Sequence, residues 1–195
     1  MTRRIGPAHP CDERLREGKT ITITCTPGRS GTGFLQHVFA LFPDFYSEHE
    51  SDIPQLQGHL RRAVKDAEFG KKIWRQKFAL INAMPEADYF ESSHLVNKGY
   101  IEPLLALGVL PGLIVLRRNF REVATSLLRL NTIPGRTKKG KNFLLQPDDA
   151  GVWQIPAWKK MTDYQLCYWY VLETERRSQH YARLIGEKGG RVLET

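Results

Sequence analysis

The sequence predicts an α/β fold, a three-layer sandwich around a mainly parallel central sheet, occupying residues 1–195 as one domain. Three observations lead there. Short β-branched or apolar runs such as "TITITC" and "GLIVL" alternate with longer segments whose apolar residues recur at three- and four-residue spacing. A chain of 195 residues is long enough to bury one substantial core and short for two. Polar clusters, "TPGRSGTG", "ESSH" and "RRN", fall where the predicted strands end, and ligands of open α/β sheets gather at the carboxyl ends of strands.

The elements follow in order. A strand is expected at Thr20 to Cys25, where Ile21 and Ile23 alternate with threonines, and Pro27 and Gly28 break it. Phe34, Leu35, Val38, Phe39 and Phe42 then lie on one face of a helix closed by Pro43. Residues Ser47 to Lys77 are polar, with a helix around "LQGHLRRAVKDAEF" and no assigned chemistry. "ADYFESSH" reads as a short strand, "YIEPLLALG" as a helix ending near Gly108, and "GLIVLRR" as a buried strand ending in two arginines. "REVATSLLRL" places Val123, Ala124, Leu127 and Leu128 on one helical face. "GRTKKGKNF" reads as a mobile basic loop. The long segment from Thr162 to Gly190 is a helix capped by Thr162 or Asp163 and stopped by paired glycines, its aromatics packing against the sheet, and "RVLET" is a last strand.

Hydrophobic residues make up 41% and charged residues 26%, ordinary globular usage that argues against a disordered chain or a coiled coil. No run of about 18 apolar residues suits a bilayer, and the charged amino terminus has no signal-peptide core, so a cytoplasmic protein without integral membrane association is expected. Cys11, Cys25 and Cys167 match neither a disulfide framework nor a zinc pattern, and the histidines show no close ligand pairing, so free thiols and no metal are expected. The net charge of +8 favours anionic partners through the summed field, but no nucleic-acid reading motif is present, and none is expected to bind.

The chemistry concentrates in "TPGRSGTGFL". Gly28, Gly31 and Gly33 permit backbone angles that let main-chain N–H groups approach an anion, and the start of a helix near Thr32 adds its positive end. Arg29 contributes a fixed charge with a planar multi-donor head, and Ser30 and Thr32 contribute hydroxyls. Gly28 and Gly33 have the outer spacing of an ATPase loop, but Phe34 and Leu35 stand where that loop needs its lysine and its magnesium-binding hydroxyl. A second anion site is suggested by Arg118, which leaves a strand beside a helix start, with Ser126 about two turns into that helix.

These residues resemble those of sulfotransferases that use 3′-phosphoadenosine 5′-phosphosulfate (PAPS). "TPGRSGTGFL" is similar to their 5′-phosphosulfate loop, in which a lysine or arginine precedes Ser-Gly-Thr. Arg118 and Ser126 resemble their pair for the 3′-phosphate, with "REV" where the family commonly has Arg-Asp-Val. The resemblance implies a P-loop-like sulfotransferase core and a bacterial-type or divergent member. It implies binding of the donor by Arg29, Ser30, Gly31, Thr32, Gly33, Arg118 and Ser126, release of 3′-phosphoadenosine 5′-phosphate (PAP), and no metal requirement. It covers about Thr20 to Ser126 and, more loosely, the long helix with "WYVLETERR". Family members usually continue past a strand like "RVLET" with a basic segment over the nucleotide, so a domain shortened at its carboxyl end is expected.

Sulfuryl transfer to an acceptor hydroxyl or amine by in-line displacement needs positive charge at the leaving phosphate, assigned to Arg29, and a general base. In "YFESSHLV", His94 resembles the histidine of a Thr-His-Leu sequence in the cytosolic branch, and Glu91 the glutamate of Tyr-Phe-Glu-Lys-Ser in glycan-modifying members, with Ser92 in place of the lysine. Both remain candidates, Glu91 having as its structural alternative a surface carboxylate or a partner of Arg118, and His94 a hydrogen bond to backbone. "WQIPAW" is a candidate wall of the acceptor pocket. The alternative functions are a degenerate P-loop nucleotide-binding protein and an ATP-dependent kinase or nucleoside triphosphatase.

Overall fold

The computed structural model describes residues 14–51 and 60–195, the side chains of residues 60 and 61 excepted. Five strands form one sheet: β1 Thr20–Cys25, β2 Phe45–His49, β3 Asp88–Ser92, β4 Gly112–Val115 and β5 Val192–Glu194. Their order across the sheet is β2-β3-β1-β4-β5, and every neighbouring pair is parallel. The α/β class and the parallel sheet therefore stand as the sequence predicts, and β2 is an edge strand that the pattern does not reveal. β1 pairs with β3 on one side and β4 on the other, so the chain reverses direction of winding there. Crevices at such a switch point, beyond the carboxyl ends of the strands, are where these sheets bind ligands.

Seven helices accompany the sheet among the described residues: α1 Thr32–Phe39, α2 Leu60–Lys65, α3 Ala67–Ala83, α4 Ile101–Ala106, α5 Phe120–Arg129, α6 Lys138–Phe143 and α7 Asp163–Glu187. Ile21, Ile23, Cys25, Leu113 and Val115 pack with Ile73, Trp74 and Phe78 of α3 and with Tyr181 and Ile185 near the end of α7. The threonines between them are not solvent-facing: Thr24 is fully buried and exchanges hydrogen bonds with Ser93. A parallel strand covered on both faces tolerates Thr only where the hydroxyl finds such a partner. Across the sheet, α1 lies on β2 and β3, where Phe39 stacks on Phe90 with ring centroids 3.8 Å apart.

Several expectations are corrected. The apolar residues after the loop form a helix that closes at Phe39, short of Phe42 and Pro43, and its face is only partly used, since Phe34 is 75% exposed. Part of the expected helix around "LQGHLRRAVKDAEF" lies outside the described residues, and the rest is divided at Asp66, whose side chain accepts from Phe69 N and so starts α3. "GRTKKGKNF" is not a loose loop: Thr137 caps α6, and Gly140 sits so close to Ile133 that a Cβ would lie 1.8 Å from its carbonyl oxygen. Only glycine allows that approach. The long helix is α7, capped by Thr162 with Gln165 returning the bond to complete a capping box. Its Trp169 and Tyr170 pack with Val123, Ala124 and Leu127 of α5, not on the sheet.

Candidate functional site

The loop joining β1 to α1 is held in a left-handed run, with φ of 80° at Gly28, 60° at Arg29 and 94° at Gly31. Successive residues of this kind turn their N–H groups toward one point and form an anion-binding concavity. Arg29 has a side chain and still occupies the left-handed region, a conformation whose cost of order 1 kcal/mol points to a functional constraint. No side chain caps α1 and no acidic residue stands in its first turn, so its leading N–H groups are left for an anion. Tyr170 of α7 donates to Pro27 O at 3.0 Å and fixes the start of the loop.

The two anion sites read from the sequence are contiguous. Arg29 Nε donates to Ser126 Oγ at 3.3 Å, and Arg118 Nη1 donates to Arg29 O at 3.2 Å. Asn119, which follows Arg118, begins the helix that carries Ser126, its side chain accepting from Arg121 N and Glu122 N. Arg118 also pairs with Glu122 at 2.9 Å, an i,i+4 contact in which both side chains are more than half exposed, weak enough to yield to a phosphate. The loop, two arginines and a hydroxyl are thus linked beyond the ends of β1 and β4.

His94, from the segment after β3, lies beside the loop, and Arg118 and Ser126 do not line the cavity that the two share. A cavity of about 250 Å³ is lined on one side by Gly28, Arg29, Thr32, Glu50 and His94 and on the other by Leu127, Leu130, Phe143 and Leu144. The imidazole packs against Gly28, where an added Cβ would lie 3.3 Å from His94 Cγ. Its Nδ1 is 2.5 Å from Glu50 Oε1, so the partner of His94 is a carboxylate and not backbone. Burial, then the charge of Lys98, lowers the His94 pKa to about 4 against a partial upward pull from Glu50. The Glu50 carboxyl is favoured in its protonated form by burial, but the hydrogen bond and charge of His94, with His49 and Lys98, hold it below its usual value. Glu50 is therefore ionised and His94 neutral through the physiological range.

Glu91 is elsewhere. It is 1% exposed, and Lys77 Nζ lies 2.5 Å from Oε2, which also accepts from Tyr89 OH and Ser51 Oγ. Burial raises its carboxyl pKa, yet the charge and hydrogen bond of Lys77, with those from Tyr89 and Ser51, outweigh burial and lower it. The expected alternatives for Glu91, a surface carboxylate or a partner of Arg118, do not occur, because Lys77 on α3 reaches it first. It does not line the cavity that holds His94. Neither does "WQIPAW", whose Trp153 is 54% exposed. A larger cavity of about 400 Å³ contains Arg176 and Arg177, but these are spent on Glu173 and on Gly151 O.

Sequence reasoning misses Glu50, His49 and Lys98. His49 and Glu50 end an unrecognised edge strand, and no motif surrounds them. Lys98 is fully buried, donates to Phe143 O at 2.6 Å and stands 5.1 Å over the Tyr170 ring, four residues after His94. Among the described residues no group of three His, Cys, Asp or Glu side chains is placed to hold a metal ion, and no helix is long and apolar enough to cross a membrane.

The titrations make stability pH-dependent in a stated direction. His94 has a lower pKa folded than the 6.5 of its unfolded state, so the unfolded chain binds more protons between pH 6.5 and about 4. That contribution is full above pH 6.5 and lost as pH falls toward 4, by about 3 kcal/mol at most. The lowered carboxyls of Glu50 and Glu91 extend the loss further into acid. Urea unfolding at successive pH values should show this slope, and His94→Gln should flatten its upper part; an unchanged slope in the variant would remove His94 as its source.

The fold is similar to that of a solved sulfotransferase domain. The sulfotransferase domain from the Synechococcus PCC 7002 olefin synthase superposes with a TM-score of 0.51 at 16% sequence identity, over 97% of this chain and 70% of that one. No protein-family model matches the chain, and no curated protein matches it in sequence. The likeness is one of fold.

Proposed function

We propose that the protein is a sulfotransferase that moves a sulfuryl group from PAPS to an acceptor hydroxyl or amine, with His94 as general base. The observation that carries this reading is the contiguity of the left-handed loop, Arg29, Arg118 and Ser126, with Arg29 and His94 lining one cavity. A nucleotide phosphorylated at both ends matches two linked cationic sites: the loop N–H groups, Ser30, Gly31, Thr32 and Gly33 would hold the 5′ end, and Arg118 with Ser126 the 3′-phosphate. When bound, the donor supplies a sulfuryl group whose sulfur bonds to the acceptor oxygen as the bridging S–O bond breaks, its electron pair leaving with PAP.

The chain's own residues supply the rest. Arg29 and the start of α1 place positive charge where the leaving phosphate gains negative charge. His94, neutral and with Nδ1 taken, receives the acceptor's proton on Nε2. Leu127, Leu130, Phe143 and Leu144 form an apolar wall for the acceptor and keep bulk water from the reacting oxygen. Glu91, enclosed by Lys77 and Tyr89, is the weaker candidate for the base. The kinase or triphosphatase reading gains nothing from the site, where Phe34, 75% exposed, stands in place of the loop lysine.

Arg29→Ala and Arg118→Ala are each expected to weaken PAP binding about 10- to 100-fold in calorimetric titration, the loss of one charged hydrogen-bonding group to a phosphate. A panel of hydroxyl and amine acceptors incubated with sulfur-labelled PAPS then tests transfer. PAP binding that neither substitution weakens would contradict the assignment.

A further inference from the structure

We propose that Glu50 is the positioning residue of a Glu50–His94 dyad, its carboxylate holding the imidazole proton on Nδ1 so that Nε2 is left bare for the acceptor. The inference rests on the reading of this crevice as a sulfotransferase centre.

An ionised carboxylate only accepts, so the 2.5 Å contact between Glu50 Oε1 and His94 Nδ1 requires the proton on Nδ1. In neutral histidine that choice leaves Nε2 as the acceptor nitrogen. Gly28 borders the Cγ–Cδ2 edge of the ring, where an added Cβ would stand 3.3 Å and 3.5 Å away, so this close approach needs a glycine. Glu50 itself is held at φ 53°, a left-handed angle for a residue with a side chain, just past the end of β2. Such strain at a site-facing residue is the mark of an imposed orientation.

The surroundings explain why a carboxylate is needed. Lys98, fully buried four residues after His94, opposes a positive charge on the ring, although burial also holds its own ammonium pKa well below the usual value. When Nε2 takes the acceptor's proton, the imidazolium forms against Glu50, whose carboxylate favours the charged ring. His49 stands on the other side, with Nε2 3.8 Å from Glu50 Oε1 and 3.0 Å from Thr32 Oγ1.

The test is long-range ¹H–¹⁵N correlation NMR of the full chain at neutral pH, which reads the tautomer of His94 directly, with calorimetric PAP titration of the same samples. The wild type should show protonated Nδ1 and bare Nε2, and Glu50→Ala should shift His94 toward the Nε2–H tautomer. A wild-type His94 carrying its proton on Nε2, or doubly protonated, would overturn the dyad even if the variant does not fold. So would a wild-type tautomer that Glu50→Ala leaves unchanged. Loss of PAP binding in the wild type with the Nδ1–H tautomer intact would instead overturn the sulfotransferase reading, and with it the role of the dyad in sulfuryl transfer.

Discussion

Replacing His94 with alanine is expected to lower the rate of sulfuryl transfer about 10²- to 10⁴-fold, the usual contribution of a positioned general base. PAP affinity should change little, because the ring contacts the loop through Gly28 and not through the phosphate-holding groups. The pH profile distinguishes a base from a packing residue. His94 has a pKa of about 4, so the acid limb of the wild-type rate should lie well below the 6.5 of ordinary imidazole, and the variant should lose that limb. A fall smaller than about tenfold in single-turnover measurements would place the base elsewhere.

Lys77→Ala is expected to destabilise the protein by about 3–5 kcal/mol, because removing one member of a buried ion pair strands the other charge. Lys77 and Glu91 are 4% and 1% exposed and 2.5 Å apart, with Tyr89 and Ser51 also committed to the carboxylate. Urea denaturation measures the loss, and Glu91→Gln added to Lys77→Met should recover much of it by removing the stranded charge. The same pair separates the two candidate bases. If Glu91 faced the donor, Lys77→Ala would alter the rate profile while leaving stability near that of the wild type; the buried pair predicts the reverse.

The parts of this site that the sequence reveals are those built from neighbours in the chain. Gly28, Arg29, Ser30, Gly31, Thr32 and Gly33 are contiguous, and their composition already specifies a turn that aims N–H groups at an anion. Arg118 and Ser126 are one helix apart in register, so their spacing is legible once the strand and helix are read. The carboxylate on His94 is not legible in this way. Glu50 directly follows an edge strand, "FYSEH", whose mostly half-buried residues lack the run of β-branched or alternating apolar side chains that marks β1. Its meeting with His94 depends on β2 pairing beside β3, a contact between residues 44 apart in sequence.

Glu91 shows the opposite failure. "YFESSH" places it in a promising sequence, but alternation along β3 turns Tyr89 and Glu91 to the same face, where Lys77 arrives from α3. His94 lies beyond the strand and is free of that constraint. The basic segment from Gly135 to Phe143 was likewise hidden by composition: its charges suggest a loop, while the close approach of Gly140 to Ile133 makes it a fixed helix that carries Phe143 to the cavity.

The most direct test of the account is calorimetric titration of PAP into the wild-type protein without added metal, with ATP–magnesium as the comparison. Two linked cationic sites at the end of β1 and β4 predict 1:1 binding of PAP in preference to ATP–magnesium. Binding of ATP–magnesium in preference to PAP, or no binding of PAP at all, would contradict it.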